Sequence, residues 1–401
     1  MSQGPLAFEI LARSSSNRAR LGRVTVPHGS FDTPAFMPVA TAAAMKGLTP
    51  AQVRSTGSQI ILNNAYHLLL RPGGELLERM GGSHRFMRWN GPILTDSGGY
   101  QAYSMSDTAR LDEDGVTFRS FVDGSRVHLG PESSMQVQHR IGADIIMAFD
   151  DCPPAVQAAA SADERRLARS RRVVDHALRL REATERSLRW LERCVRAQVR
   201  PGEQALFGIV QGATDLDLRR RSVEGTCAFD LPGYAIGGVA VGEGPEAIRE
   251  VVEFTAPLLP PDRPRYLMGV GYERDIVMAV AAGVDMFDCV LPTRNGRNAN
   301  AFTRQGPIRL RNAIHAADPG PIDPSCDCEA CAGGFSRAYL RHLFQAEEML
   351  GPTLVSVHNI RHFQRLMLDI RTAIREDAWS SLAAAWPCIG GVTTQADSDS
   401  P

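Results

Sequence analysis

Short apolar runs that end in polar or glycine residues recur along the chain, and helical patterns lie between them. "PESSMQVQHRIG", "GPEAIREVVEFTAPLL" and "ERDIVMAVAAG" place apolar residues every three to four positions, which is typical of amphipathic helices. The apolar runs number eight: "PAFMPVAT", "QIILNNAYH", "PILTDSGGYQ", "ADIIMAFDDC", "ALFGIVQG", "YAIGGVAVGEG", "RYLMGVG" and "DMFDCVLPTR". Continuously apolar strands alternating with helices favour a parallel sheet covered on both faces.

Eight such units predict an α/β protein of the closed (β/α)8 TIM-barrel type, with the polar strand ends forming its active face. A doubly wound open sheet is the alternative, but no glycine-rich phosphate loop follows the first run. We therefore expect one catalytic barrel over residues 1–390, with a disordered tail at 391–401. The alternating segment at about 7–27 predicts a β-hairpin that plugs the barrel bottom.

Two regions interrupt the repeating pattern. The pattern of residues 161–200 predicts a long arginine-rich helix or helix pair, which we interpret as a solvated surface with Asp/Glu to Arg pairs inside the run. Residues 315–363 carry a cysteine cluster within the last barrel unit. This second region predicts an inserted C-terminal zinc-binding subdomain.

Composition narrows the class of protein without identifying a partner. Of the 401 residues, 43% are hydrophobic and 22% charged, as in soluble globular proteins. The absence of an apolar segment near ~18 residues, and of an apolar leader, predicts a cytoplasmic protein with no membrane partner. With a net charge of −1, an RNA partner would need a local basic patch. Lys46 is the only lysine among 44 basic residues, which reflects either codon bias or a need for a compact ammonium.

The cysteines are unevenly distributed. Three lie in "SCDCEAC" and five are scattered: Cys326, Cys328 and Cys331, then Cys152, Cys194, Cys227, Cys289 and Cys388. In a reducing compartment the cluster indicates metal ligation, and a histidine from a later helix would complete a closed tetrahedral site for structural zinc. His358 in "VSVHN" is the preferred fourth ligand, although spacing alone also allows His342 or His362. The scattered cysteines are interpreted as small apolar core side chains.

Three predicted strand ends carry aspartates, namely Asp96 in "LTDSGGYQ", Asp150 in "MAFDDC" and Asp288 in "MFDCVLP". Any single one could merely cap a following helix. Converging on one barrel mouth, they suit glycosyl chemistry, in which one carboxylate attacks an anomeric carbon and another moves a proton. Glycines at the same strand ends allow close approach of a flat ligand, which Tyr100 and Met268 are available to sandwich.

A basic segment follows the last strand. Five arginines and no acidic residue lie between positions 289 and 317: Arg294, Arg297, Arg304, Arg309 and Arg311. Beside a candidate nucleophile, this segment predicts a loop surface that follows phosphates, with a solvated basic loop as the alternative.

Together, "LTDSGGYQ", "GADIIMAFDDC", "FGIVQG", "AIGGVAVGEG", "RYLMGVG", "DMFDCVLPTRNGRNA" and "CDCEAC…VHN" resemble, in order from about residue 8 to 375, the tRNA-guanine transglycosylases. The resemblance implies the exchange of guanine 34 in GUN-anticodon tRNAs for a queuosine precursor. Asp288 matches the nucleophile that forms a covalent ribosyl intermediate at C1′. Asp96 matches the general acid/base.

The resemblance also implies a base-binding set and an RNA-binding set. Its base-binding members are Asp150, Gln211, Gly238, Tyr100, Met268, Val239, Ser97 and Val241. Arg294, Arg297 and Thr293 match the segment that grips the nucleotides beside the flipped base. Val241 fills the space that glycine leaves for the cyclopentenediol of queuine in queuine-using members, which favours 7-aminomethyl-7-deazaguanine (preQ1) as the incoming base.

This chain departs from the family pattern at a few positions. Ala40 and Ala65 stand where the family usually has Gly and Thr, and Phe335 replaces a common Trp. Phe335 belongs to a helical segment that, in the family, helps to form a homodimer together with residues matching Tyr339 and His342. The resemblance therefore implies a homodimer. Two other functions are possible for such a chain: a catalytically silent RNA-binding subunit, which should lack the aspartates, and a sugar hydrolase, which should be richer than 6% in aromatic residues.

Overall fold

The computed structural model describes residues 4–104, 109–155 and 175–390. An antiparallel sheet opens the chain, formed by β1 (Ala7–Arg13), β2 (Arg20–Val26) and β3 (Gly29–Thr33). The hairpin at 7–27 therefore gains a third strand, because "GSFDT" continues the alternation of buried and exposed residues after a two-residue turn.

Eight parallel strands close into a barrel, which confirms the predicted fold and excludes the open sheet. Each lies in one of the eight apolar runs: β4 (Ala35–Ala40), β5 (Ile61–Asn63), β6 (Ile93–Thr95), β10 (Ile145–Met147), β11 (Ala205–Val210), β12 (Gly233–Ile236), β13 (Arg265–Leu267) and β14 (Met286–Cys289). Their side chains are almost entirely buried, because layers of side chains fill the interior and helices cover the outside. Strand β14 closes the barrel against β4.

Helices and short antiparallel strands connect the barrel strands. The helices are α1 (Pro50–Ser55), α2 (Ala65–Leu70), α3 (Gly74–Arg79), α4 (Gly82–Met87), α5 (Gly99–Ser104), α6 (Pro131–Ile141), α7 (His176–Ala197), α8 (Leu216–Cys227), α9 (Pro245–Thr255), α10 (Glu273–Ala281), α11 (Leu291–Arg297), α12 (Glu329–Ala332), α13 (Arg337–Gln345), α14 (Leu350–Glu376) and α15 (Trp379–Ala385). The other strands are β7 (Arg110–Leu111), β8 (Val116–Arg119), β9 (Arg126–Leu129), β15 (Asn300–Ala301) and β16 (Ile308–Arg309).

Buried ion pairs attach the N-terminal sheet to the bottom of the barrel. Arg20 on β2 makes a bidentate contact with Asp285, at 2.9 Å through Nε and 2.6 Å through Nη2, and both side chains are fully buried. Asp144, which precedes β10, accepts hydrogen bonds from His28 and His84 at 2.8 and 3.0 Å. Asp144 and Asp285 thus attach the N-terminal sheet at the bottom of the barrel. Asp288 lies near the carboxyl end of β14, which faces the opposite side of the barrel.

Helix α7 contains the described part of the arginine-rich run, whose first part, residues 161–174, lies outside the described residues. The interpretation of pairs inside the run holds for Arg196 with Glu192. It is wrong for Arg179 and Arg186, which both contact the buried Asp151 at 2.6 Å. Further pairs are Arg189 with Glu113 and Arg193 with Glu132. These ion pairs join α7 to other parts of the chain, so α7 is attached to the barrel and is not simply a solvated surface helix.

The long helix α14 belongs to two parts of the molecule. Near its start it packs with the cysteine region in a separate apolar cluster that includes Leu340, Leu354 and Val357. Further along, Ile360 and Phe363 join the main barrel core. The described helices include none with the length and apolar character that a membrane crossing requires.

Candidate active site

A cavity of about 340 Å³ opens at the carboxyl ends of the barrel strands. Asp96 follows β6, Asp150 follows β10 and Asp288 lies within β14, and all three line this cavity. Parallel strands end at one mouth, so three carboxylates distant in sequence share one pocket. This volume is in the range of small-molecule sites.

Two donors hold one oxygen of Asp288. The Tyr266 hydroxyl donates to Oδ1 at 2.6 Å, and the Gly269 amide donates to the same oxygen at 2.8 Å. Within the described residues, Oδ2 receives no hydrogen bond, so it is free to face a ligand. Burial raises the pKa of Asp288, while these two hydrogen bonds oppose the rise. The arrangement orients the carboxylate and leaves one oxygen for attack on an electrophilic carbon.

Asp96 is held by two residues at the start of α2. The Asn64 side-chain amide donates to Oδ2 at 2.6 Å and the Ala65 backbone amide donates to Oδ1 at 2.8 Å. Since the donor is the backbone amide, the replacement of the family's usual Thr by Ala65 does not remove this contact. Burial raises the pKa of Asp96 to about 7, and the neighbouring carboxylates of Asp288 and Asp150 add to the rise. A carboxyl group with this pKa can release or accept a proton near neutral pH.

Asp150 lies opposite a side-chain amide. Gln211 Nε2 donates to Oδ2 of Asp150 at 2.6 Å, and the Ser97 hydroxyl lies 3.5 Å from Oδ1. Burial raises the pKa of Asp150 to about 7. Adjacent donors on a flat ligand, such as a ring N–H beside an exocyclic amine, would match a carboxylate with this placement.

The other proposed base contacts line the same cavity: Tyr100, Met268, Gly238, Val239 and Val241. Gly238 has φ +64°, and a Cβ at this position would lie 2.3 Å from Gln211 Oε1, so another residue here would strain the backbone and displace the Gln211 side chain. Two scattered cysteines, Cys152 and Cys289, also line the cavity, and Cys289 packs against the core as well. Burial raises the pKa of each thiol to about 12, so neither supplies a thiolate at neutral pH.

The basic segment after β14 begins as the helix α11, not as the loop predicted from the sequence. Gly296 allows this helix to pack closely, since a Cβ there would lie 2.6 Å from Ser356 Oγ on α14. Arg294 is exposed at the cavity rim and Arg297 is half-buried. Thr293 is buried, and its hydroxyl donates to the Val290 carbonyl at 3.3 Å.

The five arginines are not one continuous surface. Arg304 pairs with Asp369 at 2.7 Å, and Arg311 donates to the Phe344 carbonyl at 3.1 Å. Both guanidinium groups are therefore used within the fold. Lys46 lies exposed in the loop after β4, and its charge adds to the effect of burial in lowering the pKa of His67.

The clustered cysteines form a buried group with His358. Nδ1 of His358 lies 3.5 Å from Cys328 Sγ and 3.4 Å from Cys331 Sγ, and Cys326 belongs to the same group. The other histidines lie elsewhere: His362 contacts Glu273 at 2.8 Å, and His342 lies beside Tyr339 on α13. Of the three candidates, His358 is thus the one that joins the cysteines, and the four side chains can hold a metal ion.

Sequence reasoning missed three contributors to the site. Tyr266 and Asn64 contact the carboxylates directly, and Arg219 binds the backbone around Gly238. Tyr266 had a usable signal, because inward-facing positions alternate along strands and β13 neighbours β14. Arg219 had none, since its acceptors are backbone carbonyls.

The mouth of the closed barrel gathers three carboxylates and a rim arginine. This arrangement defines the class as a barrel enzyme suited to glycosyl transfer. Comparison with known proteins agrees. The family described as queuine tRNA-ribosyltransferase matches residues 14–387, so the chain belongs to that family of transglycosylases.

Curated relatives cover almost the same length. The queuine tRNA-ribosyltransferase of Thermus thermophilus is 50% identical over 379 residues, covering 94% of this chain and 93% of that protein. The protein of the same name from Cyanothece sp. is 50% identical over 382 residues, covering 95% of each chain. The one from Halothermothrix orenii is 49% identical, covering 93% of this chain and 95% of the relative.

Proposed function

We propose that this enzyme exchanges guanine 34 of GUN-anticodon tRNAs for preQ1 by two displacements through a covalent aspartyl-ribosyl intermediate. The observation that carries the proposal is the presence of Asp288 and Asp96 in one cavity. One carboxylate oxygen of Asp288 has no hydrogen-bond partner among the described residues, and the pKa of Asp96 is about 7. The family membership supplies tRNA as the substrate class.

In the first displacement, Oδ2 of Asp288 attacks C1′ of the ribose and forms an ester as the glycosidic bond to N9 breaks. The bonding electrons leave with guanine, and Asp96 supplies a proton to the departing base. In the second, N9 of preQ1 attacks C1′, its proton passes to Asp96, and the ester bond to Asp288 breaks. The two carboxyl groups thus return to their starting states.

Base recognition follows from the donors and acceptors around the cavity. Asp150 accepts from N1–H and the 2-amino group, while Gln211 and the Gly238 amide read the 6-oxo side. Tyr100 and Met268 cover the two faces, with Ser97 and Val239 completing the wall. Val241 restricts the room beyond the base, since its side chain packs against the cluster of Ala155, Leu180 and Ala213. This restriction favours preQ1 over queuine.

Arg294 and Arg297 provide the cationic contacts to the anticodon loop, because they lie on α11 immediately beside Asp288. Thr293 is buried in the same helix, and its hydroxyl donates to the Val290 carbonyl. A homodimer is proposed from α13, where Tyr339 is 41% exposed and stacks with Phe335 at 5.9 Å. Thiols without disulfide partners in the described chain support a cytoplasmic location.

Zinc is the metal proposed for the Cys3His group. Tetrahedral ligation with Zn–S of about 2.3 Å and Zn–N of about 2.0 Å places S and N ligand atoms about 3.5 Å apart. The 3.4 and 3.5 Å separations from His358 match this value. His358 Nε2 lies 2.8 Å from the Phe302 carbonyl, which orients the ring for ligation through Nδ1. A closed set of four ligands makes the role structural.

Mass spectrometry of nucleoside 34 tests the exchange, after incubation of a GUN-anticodon tRNA with the enzyme and equal preQ1, 7-cyano-7-deazaguanine and queuine. We expect preQ1 to predominate, and Val241→Gly to raise the share of queuine. Asp288→Asn should bind tRNA but form no covalent adduct on denaturing gels. An adduct that persists in this variant would contradict the nucleophile assignment, and predominant queuine incorporation by the unmodified enzyme would contradict the role of Val241.

A further inference from the structure

Arg219, on α8, is a fully buried cation that contacts backbone instead of a carboxylate. Its guanidinium donates to four carbonyls: Ala213 at 2.8 Å, Val210 at 3.1 Å, Gly237 at 2.6 Å and Gly238 at 3.1 Å. No ion pair to Arg219 is found across residues 4–104, 109–155 and 175–390. Burying a charge without a counter-ion is costly, so a residue kept in this state calls for a specific explanation.

The four carbonyls come from two neighbouring strand ends. Val210 ends β11, with Ala213 just beyond it, and the two glycines follow β12. In a planar trans peptide the carbonyl of one residue and the N–H of the next point in opposite directions. Because Arg219 binds the carbonyls of Gly237 and Gly238, the N–H groups of Gly238 and Val239 point away from it.

Those two N–H groups belong to residues that line the cavity. Neither donates a hydrogen bond to any part of the chain that the structure describes, whereas the preceding Gly237 N–H is used by Val210 at 3.0 Å. Arg219 holds the two peptide groups through their carbonyls, so their N–H groups have a fixed direction. Two adjacent N–H groups of this kind can bind an oxygen that carries partial negative charge.

Helix α8 also fixes the third group on this wall. The Ser222 hydroxyl, one turn after Arg219, accepts from the Gln211 backbone amide at 2.9 Å. Gln211 in turn donates to Asp150 at 2.6 Å. Burial lowers the pKa of Arg219 to about 10, which leaves the guanidinium protonated at neutral pH. Helix α8 therefore positions, through Arg219 and Ser222, both the Gly237–Val239 backbone and Gln211 on the same side of the cavity.

We propose that Arg219 is a positioning residue for base recognition, which aims the amides of Gly238 and Val239 at the 6-oxo group of the purine. This inference rests on the proposed function, because it requires a 6-oxopurine in the cavity. Arg219 itself does not touch the base. It acts through the two peptide groups whose carbonyls it holds.

The test compares guanine with 6-thioguanine, which keeps N1–H and the 2-amino group but places a weakly accepting sulfur at position 6. The KM of each base is measured in exchange into tRNA for the unmodified enzyme, Arg219→Met and Arg221→Met. Arg221 is the matched control, since it lies on the same helix, is 52% exposed and pairs with Glu185. We expect Arg219→Met to lower the preference for guanine roughly tenfold, because each amide contact is weakened. The KM for tRNA should stay unchanged, and Arg221→Met should keep the full preference.

A variant that only loses packing would weaken both bases equally, and that outcome would overturn the inference. If Arg219→Met does not fold, Arg219→Lys serves in its place, because it retains the charge but not the planar set of donors. It should show a smaller loss of preference, and an unchanged preference would again overturn the inference. Failure of the unmodified enzyme to incorporate guanine would instead refute the proposed function.

Discussion

Replacement of Tyr266 by Phe tests whether Asp288 acts as an ionised nucleophile. Tyr266 is only 1% exposed and donates to Asp288 Oδ1 at 2.6 Å. Phe keeps the ring in the same packed space and removes only the hydroxyl. The carboxylate would then keep the Gly269 amide as its protein donor among the described residues.

The sign of the effect follows from the charge state that the hydroxyl favours. A hydrogen bond to the ionised carboxylate lowers the pKa of Asp288, opposing the rise caused by burial. Its loss therefore raises that pKa further, and less of the nucleophile is ionised at any given pH. A hydrogen bond to a charged group contributes ~1.5–3 kcal/mol and one pKa unit corresponds to ~1.4 kcal/mol, so the shift is about 1–2 units.

The assay is single-turnover formation of the covalent adduct at saturating tRNA, measured from pH 5 to 9 and resolved on denaturing gels. In the proposed complex, guanine 34 would select the ionised form of Asp150, so we attribute the acid limb to Asp288. We expect Tyr266→Phe to move this limb to higher pH by about 1–2 units while the plateau is retained. Tyr234→Phe is the control, because that hydroxyl is equally buried and accepts from the Leu231 amide at 3.0 Å, away from the cavity. An acid limb that stays in place, or moves to lower pH, would refute the reasoning.

Three further predictions concern other parts of the molecule. Metal analysis should find about one zinc per chain, lost in His358→Ala but kept in His342→Ala, and chelation should lower the Tm of the protein. Arg186→Met should reduce the free energy of unfolding by ~1–3 kcal/mol, measured in thermal melts, because it removes a 2.6 Å contact to a buried carboxylate. The control Arg196→Met, at an exposed position, should change the free energy of unfolding by less than ~0.5 kcal/mol. The pKa of Asp150 is about 7, and the proposed guanine contact requires its ionised form. Guanine should therefore bind more weakly as the pH falls below 7, and calorimetry in buffers of different ionisation enthalpy should detect the proton release. The first prediction would be contradicted by an active enzyme that contains no metal. The second would be contradicted by equal stability of the Arg186 and Arg196 variants, and the third by guanine binding that does not depend on pH.

The barrel was predictable because its signal is repeated eight times, and each apolar run places its strand independently of the others. The convergence of Asp96, Asp150 and Asp288 followed from the same pattern, since parallel strands end at one mouth. The three cysteines were predictable as one group because they lie within six positions, whereas spacing alone did not identify His358 as their partner.

What the sequence did not reveal are contacts whose partners leave no pattern. Arg219 binds carbonyls, which every residue has, so nothing in "DLDLRRR" distinguishes it from Arg220 or Arg221. The contact of Arg186 with Asp151 joins residues 35 positions apart across two elements. The helical state of Thr293 and Arg294 depends on packing against α14, which overrides the loop character of "PTRNGRN".

Helix α14 also limits how the gene can change in length. His358 meets the cysteines, Gln364 donates to the Phe36 carbonyl at 3.0 Å, and Arg371 donates to the Pro34 carbonyl at 2.8 Å, all from one uninterrupted helix. Inserting or deleting a single residue between these positions would rotate one part against the other by about 100°. Either the metal ligand or the barrel contacts would then face the wrong way. Substitutions can accumulate along this helix during evolution, whereas single-residue insertions and deletions between residues 358 and 371 should be eliminated.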